Sequence, residues 1–349
     1  MEPIIGLGIM SGTSLDGLDL CLTSFERGVG GWQYKILDAK TVQYSSSMRE
    51  RLVSIFNANA LDLVLFENEY GRFIGSLAKE FISKHDDKPS FIASHGHTIF
   101  HQPAIGMTKQ IGSGAEIAAI TGITTVCDFR SLDVALGGQG APLVPIGDEL
   151  LFSKYDYCLN LGGFANISTR RDGKRLAYDI CPVNIILSHF TRAMGCEFDD
   201  GGLIAASGVL NETLLGKLNA LFFYSANIPK SLGREWVEQQ FLPVVLSCQM
   251  DVNDILRTLV EHCAVQLSKS VDANKSVLVT GGGAYNRFLV DRFSAISGAN
   301  VIIPDDNTIQ FKEALIFAFL GLLRMNNQIN TLKTVTGAVV DSIGGCVYL

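Results

Sequence analysis

Small polar residues and glycines fill the stretch GIMSGTSLDGLDL at residues 8–20, and their types suit the binding of a phosphate. Consecutive small residues can point several backbone N–H groups at one anion. The hydroxyl groups of Thr13 and Ser14, next to Gly12, can donate further hydrogen bonds to phosphate oxygens. Asp16 would repel a phosphate unless it holds a hydrated Mg²⁺ ion. An ordinary hairpin turn is the alternative, because serine, glycine and aspartate are common turn residues.

Two more glycine turns follow later in the chain, and neither matches a dinucleotide-binding fingerprint. A Gly-Gly pair in NLGGFANIS could contact a phosphate, and the triple glycine in VTGGGAYNR would let a flat ligand lie against the backbone. These glycines are Gly162, Gly163, Gly281, Gly282 and Gly283. Asn286 is predicted to cap the helix that follows and to take part, with the triple glycine, in binding that ligand. A plain hairpin and a tight strand-to-helix turn are the alternatives for the two segments.

A carboxylate in AYDICPVN could act as a general base. Asp179 lies between a predicted strand and a helix that is expected to begin at Pro182. The positive end of the helix dipole is expected to lower the pKa of Asp179 and keep it ionised. Such a carboxylate can take a proton from water or from a hydroxyl group, although a helix-capping role is the alternative. Asn184, near the same helix end, could bind the substrate.

Histidine, arginine and glutamate residues elsewhere are candidates for substrate contacts. His95, His97 and His101 in SHGHTIFHQP have apolar neighbours and no fourth ligand, which favours hydrogen bonding over metal binding. Arg130 could bind a substrate carboxylate through its planar fork, or it could form a structural ion pair. Glu313 begins an otherwise apolar helix and could bind sugar hydroxyl groups, or it could only favour the helix dipole.

The elements expected to hold these residues occur in the same order twice. Apolar and polar residues alternate on both sides of the first turn, so this turn joins two strands and lacks the lysine of a Walker-type loop. Residues 155–171 repeat the order of strand, turn and strand, and Asp172-Gly173 predicts a hairpin turn to a further strand. This weak internal symmetry predicts an α/β fold with two lobes that face a cleft.

The composition argues against several classes of partner. A length of 349 residues with 47% hydrophobic residues suggests two domains with sizeable cores. The net charge of −7 argues against a nucleic acid or an anionic membrane as partner. Eight cysteines without a Cys-x-x-Cys pair predict reduced thiols. Because no signal peptide or membrane span is predicted either, we expect a cytoplasmic protein.

These segments together resemble the anhydro-N-acetylmuramic acid kinase family over nearly the whole chain. The motifs that occur in the family's order are GIMSGTSLDGLD, SHGHTIFHQP, DFRSLDVALGGQGAPLVP, NLGGFANIS, YDICPVN, IPKSLGREW, VTGGGAYN and FKEALIFAFL. The resemblance implies two ribonuclease-H-like lobes of the actin/Hsp70/sugar-kinase type, with mixed sheets flanked by helices and the active site in the interlobe cleft. We expect an N-terminal lobe of residues 1–128 plus about 336–349, and a C-terminal lobe of residues 129–335 with the phosphate and adenosine motifs.

The resemblance also implies a reaction of cell-wall recycling. ATP would phosphorylate O6 of 1,6-anhydro-N-acetylmuramic acid while water opens the anhydro bridge at C1, which gives N-acetylmuramate 6-phosphate. Asp179 matches the family's general base for that water, and the family implies a homodimer. The residues that match its turn for ATP and Mg²⁺ are Gly12, Thr13, Ser14 and Asp16. The residues in segments that line the sugar cleft are His95, Arg130 and Glu313.

Three positions depart from the family's pattern. Cys181 replaces the glycine of Asp-Thr-Gly-Pro-x-Asn and would place a side chain beside the expected base. His97 replaces the glutamine of His-Gly-Gln-Thr, and Asp148 stands where many members have histidine. These differences keep two alternatives open: a kinase for a different anhydro- or amino-sugar, and a catalytically impaired actin/Hsp70-like nucleotide-binding protein. A dinucleotide oxidoreductase is disfavoured because the fingerprint is missing.

Overall fold

The computed structural model describes residues 2–12 and 15–349, and the chain divides into two compact units. The first unit combines residues 1–152 with 311–349, and the second unit spans residues 153–310. The predicted lobe boundaries are therefore corrected, since segments 129–152 and 311–335 group with the first unit. The physical reason is close packing: a Cβ atom at Gly8 would lie 1.9 Å from the carbonyl oxygen of Ala314, so the helix around residue 314 lies directly on the first strand.

A six-stranded sheet organises the first unit. The strands of this unit are β1 (Ile4–Ser11), β2 (Gly17–Gly28), β3 (Gly31–Gln43), β4 (Phe91–Ser94), β5 (His97–Gln102), β6 (Met107–Ile111), β7 (Thr125–Cys127) and β13 (Cys346–Tyr348). The sheet has the order β13-β7-β4-β1-β2-β3, and β5 pairs only with β6. The β1–β2 hairpin is antiparallel, whereas β4 runs parallel to β1 and β7 runs parallel to β4. The strand-turn-strand prediction for the start of the chain is confirmed.

The helices of the first unit begin and end at residues that the sequence marks. They are α1 (Ser46–Ser54), α2 (Ala60–Ser83), α3 (Gly114–Thr121), α4 (Ser131–Ala135), α5 (Pro145–Leu150), α14 (Lys333–Thr336) and, from residue 311 onward, α13 (Asp306–Met325). The Asn59 side chain caps α2, and Ser113 caps α3. Gly122 ends α3 with a φ of 69°, which a glycine adopts readily.

Two kinds of buried contact stabilise the first unit. Apolar side chains from one face of β1 and β2 pack against α1, α2 and α3, among them Leu7 and Leu20, which are almost fully buried. The second kind is an ion pair between Lys312 Nζ and Asp148 Oδ1 at 2.7 Å, with both side chains buried. The Lys312 ammonium also lies 5.0 Å from the centre of the Phe152 ring. Asp148, one of the three departures from the family pattern, is therefore a structural residue.

A five-stranded sheet organises the second unit. Its strands are β8 (Tyr157–Leu161), β9 (Phe164–Arg171), β10 (Lys174–Pro182), β11 (Ser276–Thr280) and β12 (Asn300–Ile302). The order is β10-β9-β8-β11-β12, with β8, β9 and β10 antiparallel and β11 and β12 parallel to β8. Asp172 and Gly173, at the turn between β9 and β10, have φ values of 50° and 73°. These values fit the predicted Asp-Gly hairpin turn.

The two sheets share one strand order. If the strands of each sheet are numbered in chain order, both sheets have the order 3-2-1-4-5. Strands 1, 2 and 3 are antiparallel, and strands 4 and 5 run parallel to strand 1 on its other side. The sheet of the first unit has β13 as an additional edge strand. The predicted internal symmetry and the predicted pair of ribonuclease-H-like lobes are thereby confirmed. The helices of the second unit are α6 (Asn184–Ala193), α7 (Leu203–Ser207), α8 (Glu212–Asn219), α9 (Arg234–Trp236), α10 (Leu242–Leu246), α11 (Val252–Ser268) and α12 (Arg287–Ser297). Within the described ranges, every helix is too short or too polar to cross a lipid bilayer.

Candidate active site

The first glycine-rich turn lies at the tip of the β1–β2 hairpin. Ser11 and Leu18 are the last paired residues of the two strands, so residues 12–17 connect them. Leu15 has a φ of 61°, and its N–H group donates to the carbonyl oxygen of Gly12 over 3.4 Å. Asp16 is exposed. Thr13 and Ser14, which the sequence analysis assigned to phosphate binding, lie outside the described residues.

A second carboxylate, not singled out from the sequence, lies next to this tip. Asp19 is half-buried on β2, and the Thr41 hydroxyl donates to its Oδ1 atom over 2.6 Å. Burial raises the pKa of Asp19, and the negative charge of Asp16 raises it further. The signal in the sequence was the alternation of β2, which places Asp19 between two buried leucines. Two interacting carboxylates supply the oxygen donors that Mg²⁺ prefers, together with water molecules.

A chain of buried hydrogen bonds holds Ser11, the last residue of β1 before the first tip. The Tyr44 hydroxyl donates to Ser11 Oγ over 2.8 Å and lies 2.6 Å from the Tyr70 hydroxyl, which must then be the donor. Because Ser11 Oγ already accepts from Tyr44, we assign its own proton to the contact of 2.9 Å with His97 Nδ1, which leaves the ring proton on Nε2. Burial lowers the pKa of His97 to about 4 and keeps the ring neutral. His97 thus has one ring nitrogen engaged with the hairpin.

Three of the predicted substrate residues lie together in the first unit. Arg130 Nε donates to His95 Nε2 over 2.9 Å, and His95 Nδ1 donates to the carbonyl oxygen of Gly96 over 2.9 Å. Burial holds the pKa of His95 well below its usual value, and the Arg130 charge adds to this effect. Burial also lowers the pKa of Arg130 to about 10, against the opposing effect of the Glu313 carboxylate. A neutral histidine therefore orients a charged guanidinium near an exposed glutamate.

A cavity of about 170 Å³ lies beside His95 at the carboxyl ends of β4 and β7. Asp128 and Ser131 contribute to its wall, together with Lys109, whose ammonium pairs with Glu67 over 2.6 Å. The first residues of α3 complete the lining. Typical ligand pockets measure roughly 300–1,000 Å³, so this cavity is large enough for a substituent of a sugar rather than for a whole ligand.

In the second unit, the β8–β9 hairpin tip is held by the first turn of α6. The carbonyl oxygen of Gly162 accepts a hydrogen bond from the N–H of Asn184 over 3.2 Å. The carbonyl oxygen of Gly163 accepts from the N–H groups of Val183 and Ile185 over 2.9 and 3.2 Å. The Asn184 side chain also donates to the carbonyl oxygen of Leu161 over 3.2 Å. Gly162, Gly163 and Asn184 therefore form one substructure.

The triple-glycine turn packs against the same hairpin tip. A Cβ atom at Gly283 would lie 2.7 Å from the Leu161 Cβ atom, and Gly281 adopts a φ of 81°. A Cβ atom at Gly281 would also lie 2.5 Å from the side-chain oxygen of Asn160. Gly282 lies between them and is exposed. The absence of side chains is therefore a packing requirement at two of the three glycines.

Asn286 performs the predicted capping role. Its side-chain oxygen accepts a hydrogen bond from the N–H of Leu289 over 3.0 Å, and this bond caps α12. The residue is 8% exposed. The structure thus accounts for the capping role of Asn286, which begins the helix after the glycine turn.

A β-bulge in β10 separates the sides to which Asp179 and Cys181 point. Asp179 pairs with Asn166 of β9, whereas Cys181 pairs with Ala165, so Ile180 is an extra residue. Paired residues share a face of the sheet, and Ala165 and Asn166 face opposite sides. Cys181 and Ala165 are fully buried, whereas Asp179 is partly accessible and Asn166 is exposed. The two side chains therefore lie on opposite faces, although they are two residues apart.

The environment of Asp179 differs from the sequence prediction. Asp179 lies within β10, which ends at Pro182, and α6 begins only at Asn184. Burial raises the pKa of Asp179, while the N–H of Leu232 donates to its Oδ2 atom over 2.8 Å and opposes that shift. The predicted lowering by a helix dipole is wrong, because the residue sits in a strand rather than at a helix end. Among the described residues, Oδ1 has no hydrogen-bond donor.

The Cys181 thiol lies in the core of the second unit. It belongs to the same buried cluster as Cys263 of α11, and burial raises its pKa well above the ordinary value. Cys263 Sγ in turn donates to the carbonyl oxygen of Pro182 over 3.3 Å. Cys181 therefore points into the core, although the sequence places it two residues from Asp179.

Two asparagines were missed by the sequence analysis. Asn160 of β8 pairs with Asn166 of β9, which pairs with Asp179 of β10. The three side chains therefore form a polar row across one face of three antiparallel strands. The register of the two hairpins would have predicted this row, but the register follows from a single sequence only once both turns have been located.

The comparison with known proteins gives a family over the whole length. The profile of the family described as anhydro-N-acetylmuramic acid kinase matches residues 5–349. A relative with that name from Pseudomonas putida is 34% identical over 98% of this chain and 98% of its own length. Another from Saccharophagus degradans is 32% identical over 100% of both chains.

Solved structures with a similar course of the chain are more distant. The activator of 2-hydroxyisocaproyl-CoA dehydratase from Clostridium difficile has a TM-score of 0.43 at 12% identity and covers 93% of this chain and 97% of its own. A ROK family glucokinase from Streptomyces griseus has a TM-score of 0.42 at 12% identity over 90% of this chain and 98% of its own.

Proposed function

Because the chain belongs to the anhydro-N-acetylmuramic acid kinase family, we propose that it converts 1,6-anhydro-N-acetylmuramic acid, ATP and water to N-acetylmuramate 6-phosphate and ADP. The enzyme is an ATP-dependent sugar kinase. Water attacks C1 of the sugar and loses a proton, and the bond between C1 and O6 breaks with its electrons going to O6. O6 attacks the γ-phosphorus of ATP, and ADP leaves. This reaction belongs to cell-wall recycling.

Asp179 is the general base for the attacking water in this proposal. The single observation that carries it is the β-bulge at Ile180, which points Asp179 away from the core while Cys181 points into it. One carboxylate oxygen is fixed by the Leu232 N–H, and the other is left to accept the proton. The raised pKa makes the carboxylate a stronger base.

We assign the phosphate and metal contacts of the first unit to the β1–β2 tip. The residues proposed for the phosphates are Gly12, Thr13 and Ser14. Asp16 and Asp19 would hold a hydrated Mg²⁺, since each offers carboxylate oxygens and the two charges repel each other without a cation. When bound, Mg²⁺ neutralises negative charge on the transferring phosphate. Two carboxylates with water and phosphate suffice for Mg²⁺, which rarely uses a full cage of protein ligands.

In the second unit, the glycine turns would form the remaining nucleotide contacts. We propose that Gly162 and Gly163 approach a phosphate, and that Gly281, Gly282 and Gly283 leave room for adenosine. Asn286 contributes by starting α12 rather than by contacting the nucleotide, because its side-chain oxygen is already used in the cap. The close packing of these two turns against each other supports a shared role in nucleotide binding.

For the sugar, we propose that Arg130 and Glu313 make direct contacts. Both ring nitrogens of His95 are engaged in hydrogen bonds, so His95 would position Arg130 rather than bind the sugar itself. His97 can donate only through Nε2, because Nδ1 is used by Ser11. Asn184 would assist from the second unit. A homodimer and a cytoplasmic location are part of the same proposal.

Phosphate transfer to the anhydro sugar is the direct test of this function. The purified protein is incubated with ATP, Mg²⁺ and 1,6-anhydro-N-acetylmuramic acid, and the product is identified by mass spectrometry. We expect the mass of N-acetylmuramate 6-phosphate, with one oxygen from labelled water at C1. A phosphorylated product that retains the anhydro bridge would contradict the coupled water attack.

A kinase for a different anhydro- or amino-sugar is the second candidate, and one observation favours it. His97 replaces the family's glutamine; burial keeps its ring neutral, and its Nδ1 atom contacts Ser11 Oγ. Its ring offers one donor, whereas a glutamine amide offers a donor and an acceptor. A panel of anhydro- and amino-sugars with coupled ADP detection separates the two candidates. A higher kcat/KM for another sugar would favour the second.

A further inference from the structure

The carboxylate of Asp179 is held by a segment that runs along the open edge of its sheet. β10 is an edge strand, and residues 229–233, here named the strap, lie beside it. The N–H of Asp179 donates to the carbonyl oxygen of Lys230 over 2.9 Å. The N–H of Leu232 donates to Asp179 Oδ2 over 2.8 Å. The strap therefore binds both the backbone and the side chain of one residue.

Lys230 fastens the strap to the rest of the second unit. Its ammonium donates to the carbonyl oxygen of Phe223 over 2.8 Å and lies 4.4 Å from the centre of the Phe223 ring. The Phe223 ring in turn packs against Trp236 with ring centres 5.3 Å apart. Among the described residues, no carboxylate forms an ion pair with Lys230. Its contacts are thus those of an anchor, made with a carbonyl group and an aromatic face.

Few titratable groups surround the Asp179 carboxylate. Asn166, its partner on β9, is neutral. Cys181, on its own strand, is a buried thiol whose pKa is raised, so it carries no charge at neutral pH. On the strap, Lys230 is the one titratable side chain. The pKa of Asp179 is therefore set by burial and by the Leu232 N–H, which favours the ionised form.

We propose that Lys230 is a positioning residue for Asp179: it fixes the strap so that the Leu232 N–H holds Oδ2 and Oδ1 faces the reacting water. The proposal rests on the assignment of Asp179 as the base. Loss of the anchor loosens the strap and weakens the N–H bond to Oδ2. The carboxylate then loses both its orientation and the interaction that favours its ionised form.

The test compares Lys230→Met with the wild type over a range of pH. Methionine keeps the aliphatic packing and removes the ammonium. We expect kcat to fall about 10-fold, with little change in the KM for ATP, because a hydrogen bond to a charged group is weakened. We also expect the acidic limb of the kcat/KM profile to move to higher pH. Lys230→Arg should restore both values, since arginine can bind the same carbonyl group and ring.

Controls separate this proposal from the assignment of the base. Lys217→Met, at an exposed lysine of α8, should leave the pH profile unchanged. If Asp179→Asn is inactive while Lys230→Met keeps the wild-type acidic limb, the role of Lys230 is overturned and the base assignment stands. If Asp179→Asn keeps full activity, the base assignment itself fails.

A backbone variant keeps the test decisive if Lys230→Met does not fold. An amide-to-ester replacement at Leu232 removes the N–H donor and leaves every side chain in place. It should move the acidic limb in the same direction as Lys230→Met. An unchanged limb in this variant would overturn the proposal, because the donor that links the strap to Asp179 would then have no effect.

Discussion

The β1–β2 tip and the β8–β9 tip occupy the same place in two sheets of the same strand order, yet they are held in different ways. Side chains hold the first tip: Ser11, Tyr44, Tyr70 and His97 form a buried chain of hydrogen bonds below it. Backbone groups hold the second tip, where the first turn of α6 donates to two glycine carbonyl groups. One scaffold therefore supports two sites that respond to different substitutions.

The largest effect is expected in the second unit, from Asp179→Asn. We expect activity to fall about 10²–10⁴-fold, because an amide cannot take the proton from water. The measurement is ADP release in the presence of the anhydro sugar. Asp172→Asn, at the turn at the far end of the same hairpin, is the matched control and should remain active. Equal activity of the two variants would contradict the role of Asp179 as the general base.

In the first unit, the largest expected effect is on stability rather than on chemistry. Lys312→Met leaves the buried Asp148 carboxylate without its ion-pair partner, which costs about 3–5 kcal/mol. Chemical unfolding with a probe in the first unit measures the loss. The double variant Lys312→Met, Asp148→Leu should recover most of it, since two apolar groups carry no buried charge. A double variant as unstable as the single one would contradict this explanation.

A smaller effect should test the backbone packing of the second tip. Gly283→Ala places a methyl group 2.7 Å from the Leu161 Cβ atom, so the turn must shift at a cost of about 1–3 kcal/mol. We expect the KM for ATP to rise, because the turn moves away from the hairpin. Gly216→Ala in α8 has no atom within 4 Å of the new methyl group and should be neutral or slightly stabilising. Identical behaviour of the two variants would show that close packing is unimportant here.

At neutral pH the smallest effect on stability is expected at His97, which acts on the pH dependence of the first unit. Burial lowers the pKa of His97 from its ordinary value of about 6.5 to about 4 in the folded state, so the unfolded chain binds a proton first as the pH falls. Stability is therefore lost between pH 6.5 and about 4, by up to about 1.4 kcal/mol per pH unit for one histidine. His97→Gln should reduce this slope. His189→Gln, at an exposed histidine, should leave it unchanged.

The sequence predicted the local features of both sites but not the contacts that join distant segments. The hairpin at residues 8–20, the Asp172-Gly173 turn and the Asn286 cap follow from short stretches of residue types. The hydrogen bond between Ser11 and His97 joins residues 86 positions apart, so no local sequence pattern predicts it. The lobe boundaries were wrong for the same reason, since the packing of α13 on β1 depends on Gly8.

The side to which Asp179 points also escaped prediction. Simple alternation along a strand puts residues 179 and 181 on one face, and only the observed register shows the extra residue between them. The predicted helix at Pro182 led to the wrong sign for the pKa shift of Asp179. The residue types thus identified the carboxylate, whereas a prediction of its environment would have required the pairing of β9 with β10.

The bulge at Ile180 has a consequence for how this sequence can vary. Because it puts residues 179 and 181 on opposite faces, a substitution at 181 acts on the core, whereas a substitution at 179 acts on the accessible face of the sheet. A cysteine can therefore occupy position 181 without changing the face on which the Asp179 carboxylate lies. Deletion of Ile180 would make residues 179 and 181 neighbours on a regular strand, still on opposite faces, whereas pairing of Ile180 with Ala165 in place of Cys181 would turn residue 181 to the face of Asp179.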